Sequence, residues 1–241
     1  MIVIGNVTIE WRPKSGIASL PQYQSSLKNF FIGLPGLPPG PGTTLGTNCF
    51  DPKVIYDQYS SRFVVVALER TDSPTNSRIL LAVSKTSDPN QGWWLHSIDS
   101  KMNIGGLDRW ADYPGIGVDD KAIYITASMF TFGATPIMGG VRVWIVRKSP
   151  TIDGPNNNIA VTVHDPYTAV GSVLATTQPA HMFRPPGLGS GARPLGTFLV
   201  SYSGLADGGG NDFIQVIELT DPLNTVGGPF FTAQFLGFGN I

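Results

Sequence analysis

Cysteine is nearly absent from this chain: Cys49 is the single one among 241 residues. That excludes an internal disulfide framework and any Cys-based zinc site. Charge is sparse as well, at 14% of residues, with 16 basic against 17 acidic side chains and no block of one sign. The electrostatic footprint that nucleic acid or an anionic membrane demands is missing, so neither is expected as a partner. No apolar run approaches the roughly 20 residues needed to span a bilayer, and no membrane span is expected. Helical periodicity is not evident anywhere along the chain. Met1-Ile-Val-Ile-Gly5 reads as a strand-like apolar run with neither a basic start nor a cleavage site, so no secretory signal is expected.

What is abundant is turn material. Gly (29) and Pro (20) together exceed a fifth of the chain, beside 41% apolar residues. Enough apolar side chains for a core, cut by many turn formers, points to short strands joined by loops rather than to bundled helices.

Strands are expected at Ile2 to Ile4, Val7 to Trp11 and Leu27 to Leu34, followed by a Pro- and Gly-rich crossing from Leu34 to Asn48 that no ladder could accommodate. From Asp51 the pattern sharpens. Lys53 to Tyr56, Phe63 to Leu68, Ile79 to Ser84 and Trp93 to Ile98 read as strands, with a polar loop at Thr71 to Ser77 and a turn at Thr86 to Gly92. A second round runs through Gly115 to Val118, Ala122 to Ser128, Val141 to Arg147 and Ile159 to His164. The third comprises Ala180 to Phe183, Thr197 to Ser203, Phe213 to Leu219 and Phe230 to Phe235. Phe63, Ile123 and Phe198 then fall in register, roughly 60 to 75 residues apart.

Repeated four-stranded antiparallel units with apolar middle strands are the pattern of a β-propeller, whose blades must stack because none can bury both faces alone. The expected fold is therefore all-β, with about four blades over residues 1–34 (partial), 50–99, 112–165 and 179–236. Two endings are open: a small closed ring, or part of a larger one completed by more chain or by a neighbouring copy.

Three segments carry a family likeness: FDPKVIYDQYSSRFVVVALER, AVSKTSDPNQGWW and DYPGIGVDDKAIYIT. The matching residues are Asp51, Pro52, Val54, Tyr56 and Asp57; Ala82, Val83, Ser84, Thr86, Asp88, Pro89 and Trp93; and Asp112, Tyr113, Pro114, Gly117 and Val118. Together they resemble a group of bacterial secreted or cell-surface β-propeller proteins of mostly unknown function, best from about Asn48 to Met129. The turn from Thr86 to Trp93 is similar to the Asp-box of sialidase-like propellers, departing from it by three residues between Asp88 and Gly92 where the Asp-box has one. The resemblance implies an extracellular or cell-surface setting, a propeller longer than this chain, and a glycan or protein partner at the propeller face.

Candidate chemistry concentrates where inner strands begin. Asp51, Asp112 and His181 could converge on one axis for general acid/base work, as paired carboxylates do in glycosidases; alternatively each Asp caps a turn. Arg62, Arg109, Arg184 and Arg193 could form a cluster gripping a carboxylate. Trp94 and Tyr113 are candidates for ligand contact, Trp94 because adjacent Trp93 and Trp94 point to opposite faces of one strand. Asp119, Asp120, Asp207 and Asp212 supply oxygens for calcium without the spacing of a known calcium loop. No other cofactor is expected. His96 and His164 read as structural, and the glycines at 187, 189 and 191 lack the following helix a phosphate site requires. The leading expectation is a non-catalytic module for binding or assembly; the alternative is a propeller-type glycoside hydrolase or lyase.

Overall fold

The computed structural model describes residues 1–6, 8–14, 20–32, 48–155, 158–167, 177–183, 196–202 and 212–239. The described chain is all-β, arranged as four antiparallel sheets in which strands adjacent in sequence are adjacent in space. Sheet I contains β1 (Ile2–Gly5), β2 (Thr8–Trp11) and β3 (Tyr23–Ser26), followed by a short helix α1 (Leu27–Phe31). Sheet II contains β4 (Asn48–Asp57), β5 (Arg62–Asp72), β6 (Thr75–Ser84) and β7 (Trp93–Asp99). Sheet III contains β8 (Met102–Ile104), β9 (Leu107–Val118), β10 (Ala122–Thr131), β11 (Met138–Arg147) and, after the helical turn α2 (Lys148–Thr151), β12 (Ala160–His164). Sheet IV contains β13 (Gln178–Pro179), β14 (Gly196–Tyr202), β15 (Asp212–Thr220) and β16 (Phe230–Gly239).

The sheets stack face on face in chain order. The middle strands of sheets II and III carry unbroken apolar runs, Val64 to Leu68, Ile79 to Val83, Ala122 to Ile125 and Val143 to Val146, because alternate side chains serve two different cores. On β5 and β6, Val65, Ala67, Leu80 and Ala82 pack under Ile9, Trp11 and the α1 residues Leu27, Phe30 and Phe31. Their sequence neighbours Val64, Val66, Leu68, Ile79, Leu81 and Val83 point the other way, onto Ile123, Ile125, Met129, Trp144 and Val146 of sheet III. Sheet III repeats the device, turning Ala122, Tyr124, Val143 and Ile145 toward Leu219 of sheet IV. The first full strands of neighbouring sheets lie side by side, β1 with β4, β4 with β9, and β9 with β13.

Close approach at the last of these contacts depends on glycine. A Cβ at Gly115 would sit 2.5 Å from the Pro179 ring, and one at Gly117 would sit 2.5 Å from the Ala180 carbonyl oxygen. Bare backbone at both positions lets sheet IV seat its first strand directly against β9.

Four expectations change. The run Leu27 to Leu34 begins as a helix, not a strand: Ser26 caps it by accepting the Asn29 N–H at 3.2 Å. Buried Leu27, Phe30 and Phe31 sit at the i, i+3, i+4 spacing of one helical face. Its remainder and nearly all of the crossing that follows lie outside the described residues. The polar loop at Thr71 to Ser77 is a tight hairpin, with Arg70 opposite Ser77 and Asp72 opposite Thr75. Sheet III gains an unanticipated strand, β8, turned back through Gly105 and Gly106, both at positive φ. The first strand of sheet IV is Gln178–Pro179 rather than Ala180 to Phe183, because the Met182 N–H leaves its own sheet to bond the Val118 carbonyl at 3.1 Å.

Candidate functional site

The long inner strands β4 and β9 each carry a bulge near one end and a tight turn at the other, and aspartates occupy both ends. At the bulge end, the β4–β5 ladder skips from Phe50 to Lys53, and the β9–β10 ladder skips between Asp112 and Gly115. Asp51-Pro52 and Tyr113-Pro114 form the extra residues, where proline could not donate to a ladder. Asp51 and Tyr113 both adopt left-handed backbone, at φ 47° and 56°. Strand β1 reaches this point too: the Asn6 side-chain oxygen accepts the Asp51 N–H at 2.9 Å.

The bulges bring Asp51 close enough to Asp112 for its charge to act on that carboxyl. Burial raises the Asp112 carboxyl above the ordinary carboxylate range, and the charge of Asp51 pushes the same way. The Tyr113 N–H, donating to Asp112 at 2.9 Å, and the charge of Arg70 pull it back. Arg70 is held over the Trp110 ring at 4.1 Å and pairs with Asp72 at 2.6 Å. Beside Asp51 opens a cleft of about 270 Å³ lined by Asn6, Asp51, Lys53 and Tyr113 together with Ile4 and Pro114. Tyr113 is 55% exposed.

At the turn end the carboxylates are enclosed. Asp57 accepts the Tyr59 N–H at 3.0 Å and the Ser60 N–H at 3.4 Å on one oxygen. Its other oxygen receives the Ser60 hydroxyl and, from sheet III, the Lys148 ammonium at 2.6 Å. Asp119 repeats the plan, taking the Lys121 and Ala122 N–H groups on one oxygen, each at 2.7 Å. Its second oxygen takes the Tyr124 hydroxyl at 2.7 Å and the Gly196 N–H of sheet IV at 3.0 Å. Each turn aspartate thus closes its own hairpin with one oxygen and clasps the next sheet with the other. Gly196 fits this contact only as glycine, since a Cβ there would lie 1.8 Å from the Leu219 carbonyl oxygen. Burial pulls the Lys148 ammonium below the ordinary lysine range, opposed by the charges of Asp57, Asp119 and Asp120.

His181 belongs to the turn end. Its Nε2 lies 2.7 Å from the Gln58 side-chain oxygen, while Gln58 and Tyr59 donate to the neighbouring Met182 carbonyl at 2.9 and 2.8 Å. Burial lowers its imidazole, with Asp57 opposing and Lys148 reinforcing. From Gln58 back to Asp51 is about 20 Å along an extended strand, so His181 does not join the Asp51–Asp112 pair.

The other sequence candidates disperse. Arg62, at the turn end, donates to the Ser84 carbonyl at 3.0 Å and pairs with Asp153 at 3.4 Å. Arg109 is a buried brace donating to the Ile104 and Ile137 carbonyls, so these two arginines do not cluster. Trp94 has one ring face covered by the Lys85 ammonium at 4.2 Å, and Trp93 packs on Trp11 and Phe30. Asp119 has its acceptor positions filled by protein donors, and Asp120 pairs with Lys121 at 3.1 Å. Asp212 opens β15, while Asp207, Arg184, Arg193 and the glycines at 187, 189 and 191 lie outside the described residues. Among the described residues, no three His, Cys, Asp or Glu side chains gather as a cation cage.

Thr86 and Asp88 build the turn between β6 and β7 locally, with Asp88 accepting the Asn90 N–H at 3.0 Å. Asn90 in turn accepts the Trp11 indole N–H at 2.8 Å, which ties sheet I to sheet II. Buried His96 meets the Thr151 carbonyl at 3.0 Å, and His164 meets the Thr162 hydroxyl at 2.9 Å. Lys148 and the clasping role of Asp57 were missed from sequence. The available signal was the shared position of Asp57 and Asp119, five residues beyond Pro52 and Pro114 respectively.

No family description, curated protein or solved structure matches this chain. Among the described residues, no helix is long and apolar enough to cross a membrane.

Proposed function

We propose that this chain is a non-catalytic, propeller-type module of an extracellular or cell-surface protein, directed at glycans. Face-to-face stacking of antiparallel meanders, with their first strands side by side, supports the propeller reading. The observation that carries the glycan reading is the bulge-end cleft. An exposed aromatic, Tyr113, stands beside the amide of Asn6, the carboxylate of Asp51 and the ammonium of Lys53. Sugar rings take a flat aromatic on one face and directional donors and acceptors around the rim.

The alternative to glycan binding is hydrolysis: burial and the nearby charge of Asp51 raise the Asp112 carboxyl, the condition of a general acid beside a second carboxylate. Glycan-array binding with the wild type, Tyr113→Ala and Asp51→Asn, alongside a hydrolysis and elimination screen, tests the reading. Binding that falls about tenfold or more in Tyr113→Ala, without turnover, is the expected result, from a stacking contribution of roughly 1.5 kcal/mol. Turnover abolished by both Asp51→Asn and Asp112→Asn in folded protein would overturn it.

A further inference from the structure

We propose that the turn end of the stack carries a further binding site, a cationic cleft where sheets II, III and IV meet, which takes a small organic anion bearing a carboxylate, sulfate or phosphate group. It lies at the opposite end of β4 and β9 from the bulge-end cleft, and it is independent of the ligand assigned there.

The cleft has a volume of about 720 Å³, and small-molecule sites occupy about 300–1,000 Å³. Three sheets contribute to it: Arg62 begins β5, Lys121 sits in the β9–β10 turn, Arg147 ends β11, and Leu223 follows β15. Charge in this chain is sparse and nearly balanced, so cations gathered at one cleft call for a cause. Lys148 also lines the cleft, but it is buried and answered by Asp57 at 2.6 Å.

Arg62, Lys121 and Arg147 remain, against two lining carboxylates, Asp120 and Asp153. Lys121, with its side chain 53% exposed, holds the adjacent Asp120 at 3.1 Å. Arg62 reaches Asp153, 64% exposed, only at 3.4 Å. Pairs with one partner so exposed contribute little and give way to a better-placed anion. Arg147 has no carboxylate partner among the described residues; its hydrogen bond there goes to the Leu223 carbonyl at 3.5 Å, long for such a bond. Most of the donors on that guanidinium are therefore left for a ligand.

The rest of the lining favours an anion with a carbon skeleton over a bare ion. Ile152 and Leu223 offer apolar contact, Tyr59 a ring and Ser149 an exposed hydroxyl. A guanidinium fork donates to two oxygens of a carboxylate, sulfate or phosphate at once, and Arg62 and Lys121 add charge of the same sign.

Amide NMR titration of the full chain with benzoate, phenyl sulfate and phenyl phosphate, and with benzyl alcohol as the uncharged control, tests this. The expected result is saturable shifts at Ser60, Lys121 and Ser149 with at least one of the anions at millimolar concentration, weakened by added salt, and none with benzyl alcohol. Arg147 is exposed at a strand end, so Arg147→Gln should fold; it should weaken binding about tenfold or more, because charge-assisted hydrogen bonds are lost. Lys28→Gln removes the same charge from α1 and should leave binding unchanged. Absence of saturable shifts with all three anions would overturn the proposal. So would binding that Arg147→Gln leaves intact, that benzyl alcohol matches, or that Lys28→Gln weakens equally.

Discussion

The two ends of strands β4 and β9 hold aspartates in opposite circumstances. At the turn end, Asp57 and Asp119 have both oxygens occupied by donors from their own hairpin and from the next sheet. At the bulge end, Asp51 lines an open cleft and its neighbour Asp112 carries a raised carboxyl. Identical side chains on the same strands therefore divide: those at the turn end tie sheet to sheet, while Asp51 at the bulge end lines the cleft. What separates them is donor supply: a tight turn offers converging N–H groups, whereas a bulge with proline removes one.

Breaking the turn end should have the largest effect. Lys148 and Asp57 are almost wholly buried, at 5% and 0% side-chain exposure. Lys148→Met strands the Asp57 carboxylate without its cation, and the expected loss is about 3–5 kcal/mol in urea denaturation. A loss below about 1 kcal/mol would show that the pair contributes nothing beyond the hydrophobic stack.

The bulge end should respond in the other direction and more weakly. The folded-state affinity of Asp112 for its proton exceeds that of an ordinary carboxyl. Its contribution to stability is thus fully present below the ordinary carboxylate pKa and is lost as pH rises through the raised one. Asp112→Asn keeps an oxygen for the Tyr113 N–H and cannot ionise, so near neutral pH it should equal or exceed the wild type in stability. That advantage should vanish in acid; an advantage that grows as pH falls would contradict the assignment.

Much of the framework was legible in the chain itself. Val64 to Leu68, Ile79 to Val83 and Ala122 to Ile125 are uninterrupted apolar runs because each serves two cores, and such runs between turn residues mark buried strands. Leu27 to Phe31 was misread because a short apolar run suits a strand or a helix equally until its cap and burial partners are known. Strand β8 was hidden because Met102–Ile104 is brief and gains its meaning from pairing with β9. Ala180 to Phe183 looked like a strand, yet its hydrogen bonds pass to a neighbouring sheet, which no local pattern encodes.

At the site, aligning the repeats put Asp51 and Asp112 at one height, and in the structure the charge of Asp51 acts on the Asp112 carboxyl. The clasp between Asp57 and Lys148 spans 91 positions and two sheets, so it has no periodicity to read. His181 was grouped with the carboxylates on the assumption that its strand starts where theirs do. The shift of β13 to Gln178–Pro179 carries the imidazole to the far end instead.

The most direct test of this division of labour is the urea midpoint of Asp119→Asn measured beside that of Asp51→Asn. Asparagine retains one acceptor oxygen but turns the second into a donor. At Asp119 that donor would oppose the Tyr124 hydroxyl and the Gly196 N–H. The expected outcome is a loss of about 3 kcal/mol at Asp119 and a change within about 1 kcal/mol at Asp51. Equal losses at the two positions, or the greater loss at Asp51, would contradict the account.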